Sequence, residues 1–176
     1  MDGGPGDGVL GMKWRAFRVG VFAFALLGAG PPAPILLRAL DGAEIQITHG
    51  PGEPDVVLHF WASWCRECGE ELPSLADAAQ ACAPERVRVV AVNIGEEPEV
   101  VRAHLAQHPF DLPVLLDPGG RAWRRAGMFG VPANLVWTQE GMSTSIGPTS
   151  AQAWRERLAA LGCRAASREA SPIAGP

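Results

Sequence analysis

Residues 56–61 form an apolar run of strand length, and a run without alternation suits a strand covered on both faces. A central strand is predicted there. Directly after it, over 66–81, Leu72, Leu75 and Ala79 recur at helical spacing, so a helix begins where the strand ends. Upstream, 35–40 and 43–47 flank Asp41-Gly42, whose tolerance of positive φ predicts a hairpin turn. Downstream the pattern predicts a strand at 86–94, then a short amphipathic helix with Pro98 in its first turn and Val100, Val101 and Leu105 on its apolar side. That helix ends near His108-Pro109 and leads to a brief strand at 114–116 and a helical turn at 121–126. Strands at 133–137 and 142–146, joined through Glu140-Gly141, precede a last helix at 150–161. The order is a hairpin, βαβ, an αβ insert, then ββα. It predicts an α/β domain with a mixed central sheet and helices on both faces.

The first part of the chain follows another pattern. Lys13, Arg15 and Arg18 precede the apolar residues 19–29, and Gly28-Ala29-Gly30 and Pro31-Pro32 follow, which is the layout of a secretory signal. The uncharged stretch runs on to Leu37, so an uncleaved, tilted membrane anchor is the alternative. Residues 1–11, rich in Gly and containing Asp, fit badly before a basic flank, which makes Met12 the expected start. The organisation expected is a signal peptide or membrane anchor over 1–32, one globular domain over 33–163 and a disordered tail over 164–176.

A chain of 176 residues with 47% hydrophobic and 19% charged residues buries one sizeable core and leaves little for a second. The net charge of -4, with no basic run after residue 18, argues against a nucleic-acid partner. Four cysteines matter more. Two of them form Cys65-x-x-Cys68, and no second close pair or nearby histidine completes a tetrahedral zinc site. No metal and no cofactor is therefore expected. The motif falls at the strand-to-helix junction, where free backbone N–H groups and the helix dipole favour an anionic sulfur. Cys65 is thus the expected nucleophile, and Cys68, one turn along the same face, the resolving thiol. A lone Cys-x-x-Cys is ambiguous between metal and redox chemistry, but this one, at a strand-to-helix junction behind Trp61 and Trp64, points to redox chemistry. A competing class is a copper-binding metallochaperone that uses Cys65, Cys68 and a distant histidine, since soft thiolates select Cu(I). Copper titration of the native chain against His59→Ala separates the two. A non-catalytic binding domain is disfavoured because both cysteines are present, and a peroxidase because no Pro-x-x-x-Thr-x-x-Cys occurs. His49, His59, His104 and His108 make no pattern and read as structural or solvated.

Phe60-Trp-Ala-Ser-Trp-Cys-Arg-Glu-Cys68, Glu71-Leu-Pro73, the inserted αβ unit and Gly130-Val-Pro132 before a strand together resemble the bacterial extracytoplasmic thioredoxin-like proteins of the TlpA/ResA type, over about residues 33–162. The resemblance implies a thioredoxin fold and an exported thiol-disulfide oxidoreductase in the periplasm or at the outer face of the cytoplasmic membrane. It implies protein disulfide or dithiol substrates, a reducing direction, a membrane-embedded dithiol donor and a role in cytochrome c maturation. Glu71, in the family's acidic position, is then a proton partner of Cys68, against the bland reading of a solvated helix carboxylate, while Glu70 faces water. Val131-Pro132 is implied to be a cis peptide against the sulfurs, with Trp64, Val131 and Pro132 meeting substrate. Trp61 and Trp64 read equally as core aromatics. Glu67 departs from the family, which often has proline there; its charge opposes a thiolate that Arg66 supports. In the implied fold the active-site helix and the last helix lie parallel on one face, so Cys82 and Cys163 fall at the end away from the active site and can meet in a structural disulfide. The alternative is two separate thiols.

Overall fold

Strand β3 (Asp55–Trp61) owes its place to its lack of a polar face. In the computed structural model, which describes residues 33–164, it runs through the middle of a seven-stranded sheet and all but its first residue are buried. The other strands are β1 (Ile35–Ala39), β2 (Glu44–Ile47), β4 (Val87–Ile94), β5 (Val114–Asp117), β6 (Ala133–Thr138) and β7 (Gly141–Ile146). Their order is β2-β1-β5-β4-β3-β6-β7. β3, β4 and β5 are parallel, whereas β6, β7, β1 and β2 pair antiparallel. This is the mixed α/β sheet that the order of elements predicts. Both the segment expected to be a signal or anchor and residues 165–176 of the expected tail lie outside the described residues.

Four helices complete the fold: α1 (Arg66–Ala79), α2 (Pro98–Gln107), α3 (Arg121–Arg125) and α4 (Ala151–Ala160). Alternation along β3 divides the core. Val57 packs with Leu75 and Ala78 of α1 and with Trp154 and Leu158 of α4. Val56, Leu58 and Phe60 point the other way, toward Val90, Val92, Leu135 and Met128, with Trp123 of α3 and the isoleucines of the β1–β2 hairpin closing that side. Near the C-terminal end of β3, Trp61 packs with Leu72, Val101 of α2, Cys65 and Cys68.

Two details differ from the pattern-based expectation. The hairpin turn occupies residues 40–43 rather than Asp41-Gly42 alone, because Ala43 N–H donates to the Asp41 carboxylate at 3.0 Å and Gly42, at φ 92°, donates to the Ala39 carbonyl. In α2 only Val101 is buried, and Val100 is 47% exposed. Consecutive helical residues lie about 100° apart, so the two valines do not share a face.

Candidate active site

Cys65 is the N-cap of α1. Its sulfur accepts a hydrogen bond from Cys68 N–H at 3.2 Å, and its own N–H donates to the Ala62 carbonyl at 3.1 Å. The sulfur thus lies at the end of a 14-residue helix where unpaired N–H groups and the dipole favour negative charge. Cys65 and Cys68 are joined as a disulfide with Cα atoms 5.3 Å apart. Cys65 is 5% exposed and Cys68 not at all, so an incoming sulfur meets Cys65 first. The structure also separates the two tryptophans: Trp61 is fully buried, and Trp64, beside Cys65, is 70% exposed.

The turn ahead of Cys65 is braced from the loop that follows β4. Glu96 accepts from Ser63 N–H at 2.7 Å, from the Ser63 hydroxyl, and from Asn93 Nδ2 at 2.6 Å. Partial burial raises its carboxyl affinity for protons, but the bonds from Asn93 and Ser63 outweigh this and hold the pKa below the ordinary value. On the opposite flank the Val131–Pro132 peptide is cis. Val131 packs against the cluster containing both sulfurs, and Trp123 Nε1 donates to the Gly130 carbonyl at 3.1 Å, which steadies the approach to the cis bond.

Glu71 follows Cys68 by one turn and faces inward, 4% exposed, whereas the Glu70 side chain is exposed and pairs with Arg66 at 3.1 Å. Trp154 Nε1 donates to Glu71 Oε1 at 2.8 Å and Thr149 N–H donates to Oε2 at 3.0 Å. Burial nevertheless dominates and raises the Glu71 pKa above its ordinary value, against those two bonds and the charge of Arg157. Beside it lies His59 of β3, fully buried, its Nδ1 2.8 Å from Asn134 Oδ1 and 3.7 Å from Glu71 Oε1.

Burial holds the His59 pKa at about 4, against an ordinary 6.5. The unfolded chain therefore takes up a proton near pH 6.5 that the folded chain refuses until about pH 4. Stability should be fully present above pH 6.5 and fall toward pH 4, by on the order of 3 kcal/mol from this residue. Urea midpoints at pH 7 and pH 4.5 in the native chain and His59→Leu check this: the acid-side decline should be shallower in the variant. Glu71 acts with the opposite sign, because its raised pKa makes its contribution fade as pH climbs through the folded value.

At the far end of α1, Cys82 and Cys163 are joined as a second disulfide, Cα atoms 4.2 Å apart. α1 and α4 run side by side from the Glu71–Trp154 contact to this link.

Residues 31–143 match the AhpC/TSA family. The chain belongs to that family. Within AhpC/TSA it is a thiol-disulfide oxidoreductase with a thioredoxin fold, and the likeness to ResA-type proteins is borne out. It is 28% identical over 130 residues to the sporulation thiol-disulfide oxidoreductase A of Bacillus subtilis (strain 168), covering 71% of this chain and 78% of that protein. To the thiol-disulfide oxidoreductase ResA of Bacillus thuringiensis subsp. konkukian (strain 97-27) it is 26% identical over 113 residues, covering 64% of this chain and 65% of ResA. Among solved structures, an exposed lipoprotein thioredoxin of Streptococcus pneumoniae strain TIGR4 superposes with a TM-score of 0.60 at 28% identity, covering 74% of this chain and 98% of that one.

The AhpC/TSA fold thus gathers Cys65, Cys68 and Val131 into one cluster, with Pro132 next in the chain, Glu71 one turn below on the buried face and Trp64 on the outside. His59 and Glu96 escape sequence reasoning. His59 sits in an otherwise apolar strand, where a single polar residue at a core position is the only available signal. Glu96 lies 33 residues from Ser63 and carries no local mark. For the copper alternative, among the described residues no three His, Cys, Asp or Glu side chains group as a metal site.

Proposed function

We propose that this chain reduces disulfides in protein substrates outside the cytoplasm through Cys65 and Cys68 and is recharged by a membrane-embedded dithiol donor, with cytochrome c maturation as its setting. The observation that carries the reading is the unequal access of two bonded sulfurs at a helix N-terminus. In the reduced protein the Cys65 thiolate attacks one sulfur of the client disulfide. The client's other sulfur leaves as a thiolate and takes a proton from water, and a mixed disulfide remains. Cys68 then gives its proton to Glu71 and attacks Cys65 Sγ; the second client sulfur leaves, and two electrons have passed to the client. A dithiol donor must return them. Trp64, Val131 and Pro132 form the surface on which the client lies.

Three features support these roles. Glu71 is close enough in sequence and sufficiently buried to serve as the proton acceptor for a thiol one turn away. Trp64, 70% exposed beside Cys65, offers an open apolar surface suited to a macromolecular disulfide. Export is supported by the basic-then-apolar residues 13–29, by the Cys82–Cys163 bond, which persists in oxidising compartments, and by the exposed location of the Streptococcus relative. The reducing direction and the cytochrome setting rest on likeness to ResA.

Equilibration of the Cys65–Cys68 couple with glutathione tests the direction. A potential near or below about −270 mV fits a reductant, and one near about −120 mV would reverse the proposed direction. Glu71→Gln tests the proton acceptor. A carboxylate close to a thiol disfavours a second negative charge, so the variant should form thiolate at lower pH while its circular dichroism is retained. Alkylation rate against pH reads this, and an unchanged profile returns Glu71 to a structural role.

A further inference from the structure

Glu71 has a neighbour whose chemistry is unused. His59 is fully buried on β3, in register with Asn134 of β6 and Ala91 of β4. Asn134 Oδ1 accepts from Nδ1–H at 2.8 Å, so Nε2 carries the lone pair, and that atom has no hydrogen-bond partner. A proton added at Nε2 would find no protein acceptor, and burial keeps the imidazole uncharged. The same Nδ1 lies 3.7 Å from Glu71 Oε1, too far for a hydrogen bond but close enough for the positive end of the imidazole dipole to act on a charge in a buried interior.

We propose that His59 is a positioning residue for the exchange reaction, an uncharged dipole that sets the pH at which Glu71 can accept the proton of Cys68. This rests on the reading that Cys68 resolves the mixed disulfide with Glu71 as acceptor. A charged partner at the same place would pin Glu71 as a carboxylate and leave it too weak a base. An apolar partner would raise the pH at which the carboxylate becomes free to receive a proton. A neutral N–H donor lies between. The step balances as written: Cys68 S–H breaks, its proton passes to the Glu71 carboxylate, the sulfur's electron pair forms the bond to Cys65 Sγ, and the client thiolate leaves with the pair of the broken bond.

Thr149, Trp154 and Arg157 also act on that carboxyl, and Thr149 N–H donates to Oε2 at 3.0 Å. From α4, Trp154 stands edge-on to His59 at 6.1 Å and donates to Glu71, and Arg157 contributes the one positive charge that acts on the carboxyl. From β6, Asn134 is neutral, as is Ala91 of β4. From α1 the facing titratable groups are Glu71 and Cys68 itself.

The test is stopped-flow release of glutathione from the Cys65 mixed disulfide as a function of pH, in the native chain, Glu71→Gln, His59→Leu and His59→Asn. Glu71→Gln should lose the titration limb that belongs to the carboxyl. His59→Leu should retain that limb and move it upward by about one pH unit, a tenfold change in the proton equilibrium, because the dipole that favours the carboxylate is gone. His59→Asn, with a donor on a shorter side chain, should move it the same way by less, and stands alone as the test if the leucine variant does not fold. A limb unmoved in both His59 variants, yet lost in Glu71→Gln, overturns this inference and leaves the role of Glu71 intact. A limb that survives Glu71→Gln overturns the role of Glu71, and this inference with it.

Discussion

Replacing Cys65 with serine should lower disulfide exchange by at least about a thousandfold, since a hydroxyl is not ionised where a thiolate is. Cys68→Ser should behave differently. Its Cys65 still lies at the helix N-terminus and still attacks, but no second sulfur stands behind it to break the mixed disulfide, so trapped conjugates should accumulate. Non-reducing electrophoresis and mass spectrometry of both variants after incubation with a disulfide-bonded protein read the difference. The asymmetry follows from access: Cys65 is 5% exposed, and Cys68 is sealed beneath it in the cluster with Trp61, Leu72 and Val101. Conjugates formed by Cys65→Ser and absent from Cys68→Ser would reverse the two roles.

Removing the second disulfide should cost the most stability. Cys82 and Cys163 are 81 residues apart in sequence, so their bond closes most of the domain into one loop. In the chain-entropy description that constraint on the unfolded state contributes about 4 kcal/mol. For a domain of this size such a loss lowers Tm by roughly 10–15 °C. Cys82→Ala/Cys163→Ala, melted beside the native chain in oxidising buffer, measures it, and the double variant avoids leaving one reactive thiol. Its Cys65–Cys68 potential should be nearly unchanged, because the link lies at the opposite end of α1 from the active site. A Tm lowered by only a few degrees would mean that α1 and α4 are held by packing alone, through Leu75, Ala78, Trp154 and Leu158. Mild reduction and alkylation of the native chain complements the melt, with Cys65 and Cys68 expected to be labelled before Cys82 and Cys163.

Most of the architecture was legible from local pattern. β3 could be read because six consecutive residues without a solvated face suit only a strand covered on both sides. α1 could be read from the spacing of its apolar residues, and the place of Cys65 from the strand-to-helix junction itself. Even the inward turn of Glu71 was visible, because it shares a face with Cys68, Leu72 and Leu75. Where the pattern misled, as at Val100, it did so because α2 buries only a narrow face, occupied by Val101, and Val100 lies about 100° around the helix from it.

By itself, then, the sequence determined the elements, their order and the pair of sulfurs at a helix N-terminus, since each depends on residues within a turn or a strand of one another. The tertiary structure alone decided what surrounds those sulfurs. Trp154 and Thr149 reach Glu71 across 83 and 78 residues, Glu96 reaches Ser63 across 33, and Asn134 reaches His59 across 75. The partner and the burial of each of these groups depend on sheet register and on which helices share a face. No periodicity within a short window records either one, and burial with its hydrogen bonds is what moves the pKa of a carboxyl or an imidazole.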